Sequence, residues 1–366
     1  MTQPILTLRR PDDFHLHLRQ NNHPTNNGGD MLSSVLPFSE NIFGRATIMP
    51  NIIPPIIDGD MAIAYKTIIE KNLKDRSFIP LMTLYLHNTM HPEKIANQYR
   101  QKKFFAIKYY PKNATTHSDS GVDDIKKMTH MLNMMMDENI PLLIHGEYIG
   151  RDKYNRVVDI FDREMMFIDN ILSWLLETFP SLKISLEHIT TQHAVKFLQK
   201  SGKNLGASIT AHHLLINRND IFHHKGKAGL NPHHYCLPLA KCESDREALL
   251  ALATSGFDRV YGGSDSAPHR KNEKESAIGC AGIFSAPLAV EAYAMAFQQV
   301  NQLSKLENFL SQHGAVFFNL TPNEQKIALI EKEWQVPPEI NILASNHTIL
   351  PFMAGDILPI KAVRLP

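Results

Sequence analysis

The chain has 366 residues, 43% of them hydrophobic, enough to bury one large core or two ordinary ones. Lys and Arg number 38 against 37 Asp and Glu, a formal charge of +1 with no long run of either sign. That balance argues against a nucleic-acid groove or a membrane-surface patch as the main business, so attraction for an anion must come from a few placed residues.

The start, "MTQPILTLRRP", lacks the apolar core of a signal peptide. Strand 1 is predicted over 13–18 ("DFHLHL") and strand 2 over 45–50 ("RATIMP"), followed by a helix over 58–71. Strand 3 (78–86) leads to a helix over 91–102, and strand 4 (104–110) to one over 121–138. Strand 5 (141–146), strand 6 (182–188) and strand 7 (205–210) precede helices over 163–178, 191–200 and 243–255. Strand 8 (258–263, "DRVYGG") is followed by a helical run over 286–310. Strands alternating with helices imply a parallel sheet with helical crossovers, and eight strands are the number that closes into a (β/α)8 barrel, the TIM-barrel fold. Residues 1–320 are assigned to this barrel. The Pro-dotted tail 321–366 is expected to be irregular or short-stranded and packed on the barrel as part of a single domain, being too short for its own core.

No run of about 18 apolar residues occurs, so no transmembrane helix is expected. Cys236, Cys242 and Cys280 form no C-x-x-C pair and are read as small packing residues of a reduced, cytoplasmic protein.

In such a barrel the reacting groups collect at the carboxyl ends of the strands. Those ends carry His15 and His17 (strand 1), Asn51 (strand 2), Lys108 (strand 4), His145 (strand 5), His188 (strand 6) and Asp265 (strand 8). A strand has period two, so His15 and His17 are expected to aim together into the barrel mouth while Phe14, Leu16 and Leu18 face the surrounding helices. Two imidazoles so placed can take adjacent corners of one metal's coordination sphere, and His145 with His188 offers a second pair. Nitrogen and carboxylate donors without cysteine suit zinc and other first-row metals. The doublets 212–213, 223–224 and 233–234 would point to opposite faces if extended and are read as surface or core residues. The same holds for His87, His91, His117, His130, His193, His313 and His347. Lys108 among imidazoles and a cation favours its neutral amine. That amine could serve as a Schiff-base nucleophile, or react with carbon dioxide to give a carbamate that bridges two metals.

The segments "DDFHLHLR", "IMPN", "IKYYPKNATT", "LLIHGE", "EHITT", "YCLP" and "GGSDSAPH…KE…GCAG" come in one order along nearly the whole barrel. In them the chain resembles the amidohydrolase superfamily, and within it the bacterial dihydroorotases of the short, non-fused type. The resemblance implies two Zn2+ per chain, bridged by hydroxide and by Lys108 as its carbamate (N6-carboxylysine). His15, His17 and Asp265 are then the ligands of the more buried ion, and His145 and His188 those of the second. It implies that Arg19, Asn51 and His269 grip a substrate carboxylate, that the backbones of Leu237 and Ala281 contact the ring's polar edge, and that Thr115 and Thr116 sit on a mobile closing loop. It further implies a homodimer. The chain departs from the usual pattern in "IKYYPK", where Tyr109 is expected to face the helices and Lys112 to sit in the loop.

On this reading the reaction is the reversible hydrolysis of dihydroorotate to N-carbamoyl-aspartate, a step of pyrimidine synthesis. The shared hydroxide attacks the ring amide, and Asp265 takes the proton and passes it to the ring nitrogen. Arg19 continues the 15–17–19 alternation and offers a planar fork to the substrate's carboxylate. A hydantoinase or dihydropyrimidinase would carry a β-domain ahead of the first metal histidines, and His15 comes too early for one. A single-metal deaminase would lack Lys108. A non-catalytic scaffold would have lost ligands, and none is missing.

Overall fold

The computed structural model describes residues 3–19, 30–224 and 226–365. Its eight-stranded sheet is parallel, with neighbours in chain order: Asp12–Leu16, Arg45–Ile48, Ile79–Tyr85, Ala106–Tyr109, Leu142–His145, Ile184–Glu187, Leu205–Ile209 and Val260–Gly262, here called barrel strands 1 to 8. The ends meet where Leu16 bridges Ser266 just beyond strand 8. There the Asp265 N–H donates to the His15 carbonyl at 2.9 Å and the His17 N–H to that of Ser266 at 3.1 Å. Closure removes the sheet edges, and the pairing that closes it also brings Asp265 against the two histidines of strand 1.

Helices Gly59–Asn72, Pro92–Arg100, Thr129–Asp137, Gln192–Lys200 and Glu243–Thr254 cover the outside, with a helical stretch over 163–178 between strands 5 and 6. Short polar residues start two of them: Asp58 accepts from the Met61 N–H at 2.9 Å and Thr191 from the Ala194 N–H at 3.0 Å. One further helix, Met31–Glu40, lies between strands 1 and 2 where none was predicted. Its internal Pro37 reads as a breaker, yet the Asp30 carboxylate caps Ser33 N–H at 2.9 Å and its apolar face is buried. The predicted run 286–310 is also two pieces: the helix Ala289–Gln299 ends, the backbone turns at Asn301 (φ 57°), and helical structure resumes over 308–317.

The tail differs from its expectation. Lys326–Gln335 and Ile357–Arg364 are long antiparallel strands, and the first also pairs with Pro4–Arg9, giving a three-stranded sheet from both ends of the chain. Pro359 masks the second strand in the sequence, but this strand lies on the sheet's edge, where a missing N–H is tolerated.

Phe14 is a second correction. It packs with Met49, Ala106, Leu143 and Tyr261 inside the barrel and against Gly314, Phe317 and Phe318 at the end of the helical stretch 308–317, rather than outward from the sheet. Ala106 and Leu143 each stand two residues before a site residue, Lys108 and His145, so this cluster fills the barrel directly beneath the site. The strict alternation fails because strand 1 shifts register between Asp13 and Leu16, a bulge that adds one residue opposite Ala46–Ile48. Leu16 and Leu18 do pack with the outer core as expected, and so does Tyr109.

Candidate metal and substrate site

Three donor atoms converge at the barrel mouth. His15 Nε2 and His17 Nε2 lie 3.2 Å apart, and Asp265 Oδ1 lies 3.3 Å from the first and 3.1 Å from the second. A tetrahedral ion with bonds of about 2.0–2.1 Å separates its ligand atoms by about 3.3 Å. The triangle therefore fits one face of such a sphere, and all three residues are buried. Burial would raise the Asp265 carboxyl, but His15, His17 and His188 outweigh it and hold it well below the usual carboxylate range. Burial chiefly, with Arg19 beside it, pushes the His17 imidazole down to about 3, so it stays neutral and able to bind a cation.

Lys108 is completely buried at the end of strand 4. Its Nζ pairs with Glu187 Oε2, and that oxygen also stands 3.1 Å from His15 Nδ1. Desolvation lowers the lysine pKa against the pull of Glu187, which favours the free amine a carbamate requires. Burial raises the Glu187 carboxyl, and His15 and Lys108 more than reverse this. The His188 ring lies 5.1 Å from that of His15 and 4.8 Å from that of His145, and its Nδ1 is buried without a partner among the described residues. His145 is less converged, its Nε2 turned to Glu147 Oε2 at 2.8 Å. The donors present thus fit a divalent ion at His15–His17–Asp265 tightly, and leave His145, His188 and Lys108 adjacent to it.

Arg19, His188 and Asp265 all have left-handed backbone, with φ of 50°, 43° and 42°. Non-glycine residues pay for that conformation, and it clusters where a site demands a side chain the regular strand would not deliver. At strand 6 the result is that Glu187, in the inward register with Ser185, and His188 both reach the centre.

A small cavity opens above these groups, lined by Arg19, Asn51, Thr115, Leu237 and Ala281 among others. Arg19 Nη2 lies 3.1 Å from His269 Nε2, which in turn is 2.9 Å from the Ala281 carbonyl oxygen. Arg19 Nε and Nη1 are buried with no partner among the described residues, a guanidinium fork left open to an anion. The loop residues are docked over the cavity: Asn51 Nδ2 donates to the Thr116 carbonyl at 3.0 Å, and the Thr116 hydroxyl donates to that of Ala281 at 3.2 Å. His117, read from sequence as remote, reaches the same rim, with Nδ1 3.2 Å from the Asn51 carbonyl oxygen. Lys112 is exposed in the loop and pairs with Asp123 at 3.1 Å.

No family model matches the chain. Among curated proteins, dihydroorotases from Nitrosomonas europaea and Hahella chejuensis are each 46% identical to it, covering 97% and 98% of this chain and 97% and 99% of theirs. The chain belongs to the dihydroorotase family. Solved dihydroorotases share the fold: one from Campylobacter jejuni has a TM-score of 0.85 at 38% identity, covering 99% of this chain and 98% of its own. The dihydroorotase from Saccharomyces cerevisiae, solved in complex with 5-fluoroorotic acid, has a TM-score of 0.88 at 32% identity and covers 99% of both chains. An L-hydantoinase from Arthrobacter aurescens, 14% identical, shares the fold alone, with a TM-score of 0.78 over 97% of this chain and 82% of its own.

Beyond the residues a dihydroorotase reading names, the structure adds three. Glu187 and Glu147 were overlooked, although Glu187 adjoins His188 and Glu147 stands two residues after His145. Lys274 is the third. Its buried ammonium donates to the carbonyls of Tyr235 (2.7 Å), Cys280 (2.8 Å) and Gly282 (2.6 Å), so one side chain ties together the segments that carry Leu237 and Ala281. In the sequence it was only the "K" of "KE", and nothing local to that dipeptide signals a clamp.

Proposed function

We propose that this chain is a dihydroorotase, interconverting dihydroorotate and N-carbamoyl-aspartate. The observation that carries the reading is the pair of open, buried donors of Arg19 in the same cavity as the His15–His17–Asp265 triangle. A fully desolvated guanidinium with free N–H groups suits a carboxylate far better than a neutral ring, and a cyclic amide bearing a carboxylate needs both halves of this cavity. The yeast relative's complex with 5-fluoroorotic acid supports the same choice.

His15, His17 and Asp265 would hold one divalent ion, and His145 and His188 a second, with Lys108 between them. In its neutral form the Lys108 amine adds to carbon dioxide, forming an N–C bond and losing a proton, and the product is a carboxylate where the amine was uncharged. Zinc is the expected metal. When bound, the ions supply Lewis acidity and lower the pKa of water at the site.

The remaining steps belong to the chain's own groups. Arg19, Asn51 and His269 hold the substrate's carboxylate and fix the ring's orientation, while the backbones of Leu237 and Ala281 meet its polar edge. Thr115 and Thr116 close over it and exclude water from the cavity. Asp265 receives the proton of the attacking water and delivers it to the ring nitrogen as the amide bond breaks. In the reverse direction the same carboxylate takes the proton from the carbamoyl nitrogen as the ring closes. Barrel and tail act as one domain in this reading, and the molecule works in the cytoplasm as a homodimer.

The test is turnover of dihydroorotate followed by its ultraviolet absorbance, with hydantoin as a comparison substrate lacking the carboxylate. Turnover of dihydroorotate with little of hydantoin is the expected result. The reverse preference would overturn the assignment.

A further inference from the structure

A second cluster of ligand-type side chains lies outside the reaction just described. His212 and His213 follow strand 7 in the short helix Ala211–Leu215, so the sequence argument that an extended doublet diverges does not apply to them. Cys236 stands beside them. All three are buried, and one donor atom from each lies within 4.8 Å of the other two.

Within the cluster, His213, Cys236 and the Pro238 carbonyl have the spacing of a coordination sphere, with His212 next to them. His213 Nε2 is 3.6 Å from Cys236 Sγ, and the Pro238 carbonyl oxygen is 3.1 Å from that nitrogen and 3.4 Å from that sulfur. A tetrahedral ion with metal–sulfur and metal–nitrogen bonds of about 2.3 and 2.0–2.1 Å separates those donors by about 3.5 Å. The Thr210 hydroxyl lies 2.8 Å from the far nitrogen of His213 and fixes its ring, the outer hydrogen bond that metal-binding imidazoles habitually have.

His212 is the independent observation. Its ring centroid is 4.5 Å from that of His213, it is fully buried, and neither of its nitrogens has a partner among the described residues. Leaving both polar atoms of a buried imidazole unsatisfied is costly unless something else engages them.

We propose that His212, His213 and Cys236, with the Pro238 carbonyl oxygen, form a separate buried site for a thiophilic cation, Zn2+ or Cu+. On binding, the Cys236 S–H bond gives way to a sulfur–metal bond and the proton leaves to solvent. The thiolate neutralises Cu+ completely and Zn2+ by half. Burial favours the smaller residual charge, so Cu+ is the tighter of the two in so buried a place. The ion would pin the segment Cys236–Pro238, whose Leu237 lines the catalytic cavity.

None of the proposed catalytic ligands is a sulfur atom, so metal–sulfur scattering reports a site other than the catalytic one, and the cysteine variants say which. The experiment is X-ray absorption on the full chain, loaded in one arm with Zn2+ and in the other with Cu+ under reducing conditions. We expect a sulfur neighbour at about 2.3 Å, averaging about one third per ion in the zinc arm because two further ions occupy the sulfur-free catalytic centre, lost in Cys236→Ser, weakened in His212→Gln, and kept in Cys242→Ala and Cys280→Ala. Nitrogen and oxygen neighbours only, in both arms of the unmodified chain, would overturn the proposal whether or not any variant folds. So would a sulfur signal that disappears with Cys280→Ala. Turnover is not read, so failure of this site and failure of the dihydroorotase reading are separate outcomes.

Discussion

In the proposed reaction single residues at the strand ends carry the chemistry, and their roles separate by what each removal would do. Arg19→Gln keeps the metal triangle but loses the charged fork. One or two charge-assisted hydrogen bonds at about 1.5–3 kcal/mol predict a KM raised roughly 10- to 100-fold or more. Steady-state kinetics beside elemental analysis checks this, and a metal-free Arg19→Gln protein would contradict it. Asp265→Ala is expected to keep part of its metal and lose nearly all turnover. Lys108→Ala should lose metal, with activity partly restored by short carboxylic acids. Full metal content without rescue would remove the carbamate from the account. The convergence of His15, His17 and Asp265 was legible in the sequence because the ends of neighbouring barrel strands confine each to one place. Glu187 and Glu147 were not, because a histidine near each drew the assignment and only the left-handed turn at His188 lets its neighbour share the site.

At the scale of elements, the alternation of strand and helix was readable because parallel buried strands are short apolar runs between periodic segments. What escaped depends on tertiary pairing: the terminal sheet is built from both ends of the chain, and the bulge that turns Phe14 inward exists only against strand 2. Lys274 belongs to this scale as well, since it joins two segments about 45 residues apart in sequence. Lys274→Met removes the ammonium from three carbonyls, leaves only the Gly282 N–H on that of Tyr235, and loosens the backbones of Leu237 and Ala281. The expected outcome is a KM increase exceeding the loss of kcat, with catalytic metal content unchanged. A normal KM would reduce Lys274 to a packing role.

Across the whole molecule, the amino end of the barrel is locked by a polar knot that the sequence did not disclose. Arg10 is fully buried and donates to Asp75 at 2.8 Å, to Ser77 at 2.8 Å and to Gln325 at 2.9 Å, while Arg364 from the last strand reaches the same Asp75 at 2.6 Å. One carboxylate thus joins the barrel to both termini. Asp75→Ala leaves a buried guanidinium with neutral partners only, and should cost about 2–3 kcal/mol in denaturant unfolding. Burial works to raise the Asp75 carboxyl, but the bonds from Ser77 and Arg10 prevail and hold it at about 2 rather than 3.8. A carboxylate lowered on folding stabilises above its unfolded pKa, and that contribution fades as pH falls through the folded value. Thermal melts between pH 4 and pH 2 should therefore show a smaller loss in Asp75→Asn than in the unmodified chain. Equal losses would place the acid-sensitive group elsewhere.

Anomalous diffraction at the zinc edge, on crystals grown with zinc and dihydroorotate, tests the catalytic centre most directly. The account predicts one cation on His15, His17 and Asp265, a second on His145 and His188, a carboxylated Lys108 between them, and the ligand's carboxylate on Arg19. A bare Lys108 ammonium still paired with Glu187, with no cation on the strand 1 histidines, would contradict it.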